Sequence, residues 1–183
     1  MADLPGTPTA IDIDGLSVTP MRELLVASLR YFDRAGEFAA VLRQSLGMEL
    51  PEALQAVTAT GEDSGAHVIL AWRSPTETVL LSEDTSGFAE LERRLTGMSD
   101  GCMVDQSGGV RVLRVQGHRA EDLLIRLGAN TATPKRGEAR SSRLAEVQVM
   151  VACVRDGEFI LLVERVYADH LLSWIRATTN DFL

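Results

Sequence analysis

The chain has 183 residues, a length that suits one domain or two small halves sharing a core. Apolar residues make up 45% and charged residues 24%, which excludes disorder over most of the length. The 18 basic and 26 acidic side chains leave a formal charge of -8, which argues against nucleic acid as a partner because such a surface repels phosphate.

Residues 1–20 read as a flexible tail rich in Pro, Thr and Asp. They lack the basic start and apolar centre of a secretory signal. No apolar run anywhere approaches the roughly 20 residues of a membrane span, so no membrane partner is expected. Leu24, Val26, Leu29 and Phe32 then mark a strand, and 33–36 a turn. Phe38, Val41, Leu42 and Leu46 recur at helical spacing, with Gly47 as the stop. Residues 48–65 read as a loop. Val68–Trp72 and Thr78–Leu81 flank Ser74-Pro75, a hairpin signal. Ser86 is the expected cap of a helix with Phe88, Leu91 and Leu95 on one face.

The stretch 97–109, with four glycines, reads as a joint. A strand follows over 110–115, a turn at Gly117, and a helix striped by Ala120, Leu123, Leu124 and Leu127 that ends at Gly128. Residues 129–142 read as a long loop. Val147, Val149, Val151 and Cys153 alternate as a half-buried strand. Arg155-Asp156-Gly157 turns the chain back into 159–163. Tyr167, Leu171, Trp174 and Ile175 stripe the last helix, with Leu172 beside them.

The two halves repeat at a shift of 81 positions. Gly36 falls on Gly117, Ala39 on Ala120, Leu42 on Leu123 and Leu46-Gly47 on Leu127-Gly128. Further along, Ala71 falls on Ala152, Glu77 on Glu158, Leu80-Leu81 on Leu161-Leu162, Glu83 on Glu164 and Leu91 on Leu172. The expected fold is therefore α+β: two tandem ferredoxin-like β-α-β-β-α halves related by internal duplication, with mostly antiparallel sheets. The expected boundaries are 21–98 and 99–183, the halves packed as one unit.

Catalytic signatures are missing from the sequence. His67, His118 and His170 stand alone, without the pairing of a metal site. Cys102 and Cys153 are too few and too far apart for zinc or a disulfide scaffold. They read as buried free thiols of a cytoplasmic protein. Neither a G-x-S-x-G elbow nor a G-x-G-x-x-G loop occurs, and Asp105–Gly109 leads into a strand rather than a phosphate-binding helix. Glu62-Asp63, Glu83-Asp84 and Glu121-Asp122 read as solvated faces. Glu77 and Glu158, at equivalent hairpin positions, read as structural. An independent enzyme would have to draw on Asp105, Arg114 and His118. Trp72 and Trp174 are expected to fill the core between the halves, the alternative being anchors of an interface.

From Ala71 onward the chain resembles the gamma subunit family of heterotetrameric sarcosine oxidase. The family's W-x-G-P-x-E-W-L-L hairpin stands here as Trp72 to Leu81, its D-x-S-H segment as Asp105 to Gly108, its S-G-P-x-A-x-x-L-L turn as Gln116 to Leu124, and its Y-A-x-x-L-x-x-W-L close as Tyr167 to Ile175. The chain departs from these patterns at Thr78, Gly108 and His118. Its loop Pro134–Glu138 also lacks the cysteine of related iron–sulfur accessory proteins.

The resemblance implies the tandem fold of the aminomethyltransferase superfamily and a non-catalytic scaffold bound to a larger alpha-type subunit. It implies that FAD, FMN, NAD and tetrahydrofolate belong to partner subunits and that this chain binds no cofactor. It places the chain in the oxidative demethylation of sarcosine, and leaves the isolated chain open to homo-oligomer formation. The alternatives are a stand-alone folate- or amino-acid-binding module and a divergent paralogue.

Overall fold

The computed structural model describes residues 10–60, 67–129 and 133–181. In chain order the elements are β1 (Ile11–Ile13), β2 (Leu16–Pro20), β3 (Leu25–Tyr31), α1 (Glu37–Leu46), β4 (Ala56–Thr60), β5 (His67–Ser74), β6 (Glu77–Ser82), α2 (Thr85–Leu95) and β7 (Gly101–Asp105). The second part continues with β8 (Val110–Gln116), α3 (Ala120–Leu124, widening into a π-turn over Ile125–Ala129), β9 (Ala139–Leu144), β10 (Val147–Arg155), β11 (Glu158–Glu164) and α4 (Arg165–Asn180).

The strands form two antiparallel sheets, ordered β4-β5-β6-β3-β7 and β1-β2-β8-β11-β10-β9. The chain divides into two units accordingly. The first takes residues 23–108 and 137–139; the second takes residues up to 22, 109–136 and 140 onward. In the first unit, β3, α1, β5, β6, α2 and β7 follow one another as a ferredoxin-like β-α-β-β-α-β motif, with β4 added outside β5. In the second, β8, α3, β10, β11 and α4 repeat the order, with β9 outside β10. The fourth strand of this sheet is β2, taken from the start of the chain.

The expected boundary near 98 therefore needs correction. Residues 11–20, expected as tail, form β1 and β2 and pair with the second unit; residues 1–9 of that tail lie outside the described residues. The glycine-rich joint holds β7, which pairs with β3 and belongs to the first unit. The two expected loops contain β4 and β9. All of these but β2 are edge strands, and β2 and β7 are held to the sheet by the ladder of a neighbour. None had a strong apolar signal of its own.

Each sheet buries one face under its helices. In the first unit Ala27, Leu29, Tyr31, Leu70 and Leu80 meet Phe38, Ala39, Leu42, Phe88, Leu91 and Leu95. In the second, Val18, Leu113, Val115, Val149, Val151 and Leu161 meet Leu123, Leu124, Leu171 and Ile175. At about 1.5–3 kcal/mol for each large apolar side chain, this burial is the main term holding each unit together. The other sheet face is apolar too: Val26, Ala71, Val79 and Leu81 in the first unit, and Val112, Ala152 and Ile160 in the second, are all buried.

The two helices of the first unit start on borrowed or local carboxylates. α2 is capped by Asp84, not Ser86: Gly87 N–H donates to Asp84 Oδ1 at 3.0 Å and the Ser86 hydroxyl at 2.8 Å. Those bonds, Gly87 first, hold the Asp84 carboxyl below its ordinary pKa. α1 opens at Gly36, which has no side chain to cap it. Asp100, just ahead of β7, supplies the acceptor, taking Phe38 N–H at 2.9 Å.

Candidate functional surfaces

The returning strand of each hairpin starts with a glutamate. Glu77 and Glu158 are mostly buried, their side chains 16% and 12% exposed. Glu77 accepts from the Ser28 hydroxyl at 2.5 Å and from Arg73 at 3.4 Å, with Arg30 at 3.8 Å. Glu158 accepts from Arg114 through Nε at 2.8 Å and Nη2 at 2.7 Å, with Arg155 at 3.9 Å. Each carboxylate is thus tied to donors from the central strand and from its own hairpin. A carboxylate held this way fixes the hairpin against its neighbour.

The three residues an enzyme would have drawn on each serve a local contact. Arg114 holds Glu158. Asp105 takes both the N–H and the hydroxyl of Ser107, at 2.8 and 2.6 Å, and so closes its own turn. His118 is exposed, and its ring lies against Gly15. Gly15 has φ 75°, and a Cβ there would run into the His118 ring. Beside it, Gly117 N–H donates to Gly157 C=O at 2.9 Å, and Arg119 N–H to Gly15 C=O at 3.1 Å. The end of the second sheet is therefore a close meeting of three glycine turns. Among the described residues no three His, Cys, Asp or Glu side chains converge as metal ligands. The Glu62-Asp63 pair lies outside the described residues.

The helix α4 carries the most conspicuous exposed apolar stripe. Ala168, Leu171, Leu172 and Ile175 are buried, while on the far side Val166 is 78%, Tyr167 48% and Trp174 52% exposed. This corrects the expectation that both tryptophans fill a core; Trp72 is half-buried. His170 lies on the same outer side. Its Nε2 is 2.9 Å from Ala145 C=O, and its ring is tilted against Trp174 at 6.5 Å. Asp169, His170, Ser173, Trp174 and Ala177 line a shallow depression.

Ala145 and Glu146 form the β9–β10 turn with φ 47° and 67°, a left-handed pair in which neither residue is glycine. Such a turn costs about 1–2 kcal/mol per residue. The bond from His170 and the donation of Ala145 N–H to Leu127 C=O at 2.7 Å offset that strain. Among the cysteines, Cys153 is buried as expected, whereas Cys102 is exposed on β7. The sequence offered no signal for the exposure of Cys102, because β7 itself was not legible. No helix among the described residues is long and apolar enough to cross a membrane.

Residues 33–181 match the family described as sarcosine oxidase, gamma subunit family. Heterotetrameric sarcosine oxidase from Corynebacterium sp. U-96 contains a similar fold, with a TM-score of 0.76 at 20% identity over 91% of this chain and 85% of that one. The glycine cleavage system aminomethyltransferase T from Bartonella henselae is similar over 88% of this chain, with a TM-score of 0.68 and 16% identity, but this chain spans only 45% of that protein. No protein of curated function matches by sequence.

Proposed function

As the chain belongs to the sarcosine oxidase gamma subunit family, we propose that it is a non-catalytic subunit of a heterotetrameric sarcosine oxidase working in the cytoplasm. The observation that carries this reading is the family match across 33–181, from the end of β3 to the end of α4. It therefore spans both units rather than one motif. The partner is a larger alpha-type subunit, and the assembled enzyme demethylates sarcosine oxidatively.

In this reading FAD, FMN, NAD and tetrahydrofolate are held by the other subunits. This chain supplies a scaffold surface. Its hairpin carboxylates are committed to hydrogen bonds and ion pairs, and His170 and Asp105 to turn contacts. Nothing in that arrangement assembles a nucleophile with a base.

The test is co-expression with the remaining oxidase subunits and purification through a tag on this chain. The expected result is a flavin-containing complex that makes hydrogen peroxide from sarcosine, with no turnover by the chain alone. Sarcosine turnover or tight flavin on the isolated chain would overturn the reading.

A further inference from the structure

The two sheets end in four edge strands; two of them are blunted by charge or brevity and a third is covered at its start. β1 is only three residues long with Asp12 at its centre. β9 carries Arg140 and Arg143. The start of β4 is flanked by residues 137–139, with Ala56 N–H donating to Gly137 C=O at 2.8 Å and Ala139 N–H to Leu54 C=O at 2.8 Å. Charge, brevity and cover are the usual ways of blunting an edge. β7, Gly-Cys-Met-Val-Asp, has no charge before Asp105 and no proline, and among the described residues it pairs with β3 alone.

The duplication indicates what fits there. β2 and β7 are the fourth strands of their units, and the registers make Val18 equivalent to Met103: Val18 faces Val115 of β8 as Met103 faces Leu29 of β3. In the second unit β1 lies antiparallel outside β2, with Ile11 opposite Val18 and Ile13 opposite Leu16. Both isoleucines pack on the helix-side core, and Val18 is fully buried. In the first unit that outer place has no strand among the described residues. Met103 is only half-buried, and Val104 is 42% exposed.

Backbone direction agrees. Gln106 N–H donates to Val26 C=O at 2.8 Å, so by antiparallel alternation Val104 and Cys102 point their peptide groups at β3, and Met103 points its own outward.

We propose that β7 receives an antiparallel extended segment of a partner subunit by strand addition, an apolar side chain of that segment covering Met103 as Ile11 covers Val18. This deepens, and rests on, the reading of the chain as an oxidase subunit. A second copy is a poorer occupant. Self-pairing about Met103 would set Asp105 opposite Gly101, where β1 places an isoleucine, and would bring together two chains each with a formal charge of -8. The same charge favours a segment flanked by Lys or Arg.

The test uses the full chain co-expressed with the other oxidase subunits, comparing wild type, Met103→Pro and Val104→Lys. Met103→Pro removes an outward N–H while leaving the β3 ladder alone. Wild-type melting temperatures with at least tenfold weaker co-purification are expected for both variants. Slowed hydrogen exchange at the Met103 amide is expected on assembly of the wild type. If Met103→Pro does not fold, Val104→Lys and the Met103 amide decide the matter. Folded variants that assemble like wild type, or an unprotected Met103 amide in the complex, overturn the proposal while leaving subunit membership intact. A wild-type chain that never co-purifies removes the membership itself. A purified chain that dimerises alone, and loses the dimer on Met103→Pro, overturns the proposal in favour of self-pairing.

Discussion

Ser28 and Arg114 occupy the same position in their two sheets, Ser28 facing Val79 of β6 and Arg114 facing Ile160 of β11. Each donates to the hairpin glutamate of its own unit, Ser28 at 2.5 Å and Arg114 at 2.8 Å. The duplication has thus kept an acceptor, Glu77 and Glu158, and exchanged the donor. A fully buried hydroxyl does in one sheet what a partly exposed guanidinium does in the other.

Removing either donor leaves a mostly buried carboxylate short of a partner. Ser28→Ala and Arg114→Met are each expected to lose about 1–3 kcal/mol in urea unfolding. The double change Arg114→Met with Glu158→Gln is expected to recover part of the loss, because no uncompensated charge remains. Equal losses for the single and the double change would show that Arg114 acts by packing alone.

Gly101 opens β7 beneath α1. A Cβ there would press into the Phe38 ring and come 2.7 Å from Arg30 C=O. Gly101→Ala is expected to cost about 1–3 kcal/mol as an overpacked site. Gly108→Ala, where a Cβ meets nothing within 4 Å, is expected to stay within about 0.5 kcal/mol of wild type. Thermal unfolding of the two variants side by side checks the contrast.

Asp84 links stability to pH. Its folded pKa is lowered, so its contribution is present above the pKa of the unfolded chain and is lost as pH falls through the folded value. Asp84→Ala is expected to cost about 1 kcal/mol at pH 7. The gap between variant and wild type is expected to shrink as the pH falls from the ordinary carboxylate range through the lowered folded value. Denaturant midpoints at pH 7 and in strong acid measure it.

Trp174 and Trp72 separate by exposure. Trp174, 52% exposed, is expected to dominate iodide quenching of the fluorescence, and Trp174→Phe to abolish most of it. The same change is expected to alter stability by no more than about 0.5 kcal/mol.

The repeat was legible where both copies carry apolar periodicity: the helices and the hairpins, in which Leu80 and Leu161 occupy matching core positions. It failed at the first strand. Arg30 faces Glu77, but it is Gln116 that faces Glu158, so β3 and β8 are not related by the constant shift of 81. The shorter connection after β8 absorbs the difference. Gly36 and Gly117 align in sequence yet differ in conformation, φ -71° against 122°. One ends an extended segment; the other lets Gly15 C=O approach. The strands that escaped notice (β1, β2, β4, β7 and β9) are short and flanked by polar residues. Their pairing is dictated by a neighbouring ladder, which one-dimensional periodicity does not report. The hairpin glutamates were visible as equivalent positions, but their donors were not. Ser28 lies in an apolar run, and Arg114 in a mixed one.

The origin of the second unit's fourth strand, β2, ahead of the first unit constrains synthesis. Residues 23–108 hold every strand of the first sheet, so that sheet can close as soon as β7 leaves the ribosome. The β1–β2 hairpin, made before them, must wait for β8 more than 80 residues later, and its sheet is complete only when β11 has emerged. Until β8 emerges, β2 is paired with β1 on one edge and open on the other, and Pro20, at the end of that strand, is one residue type known to discourage premature edge pairing.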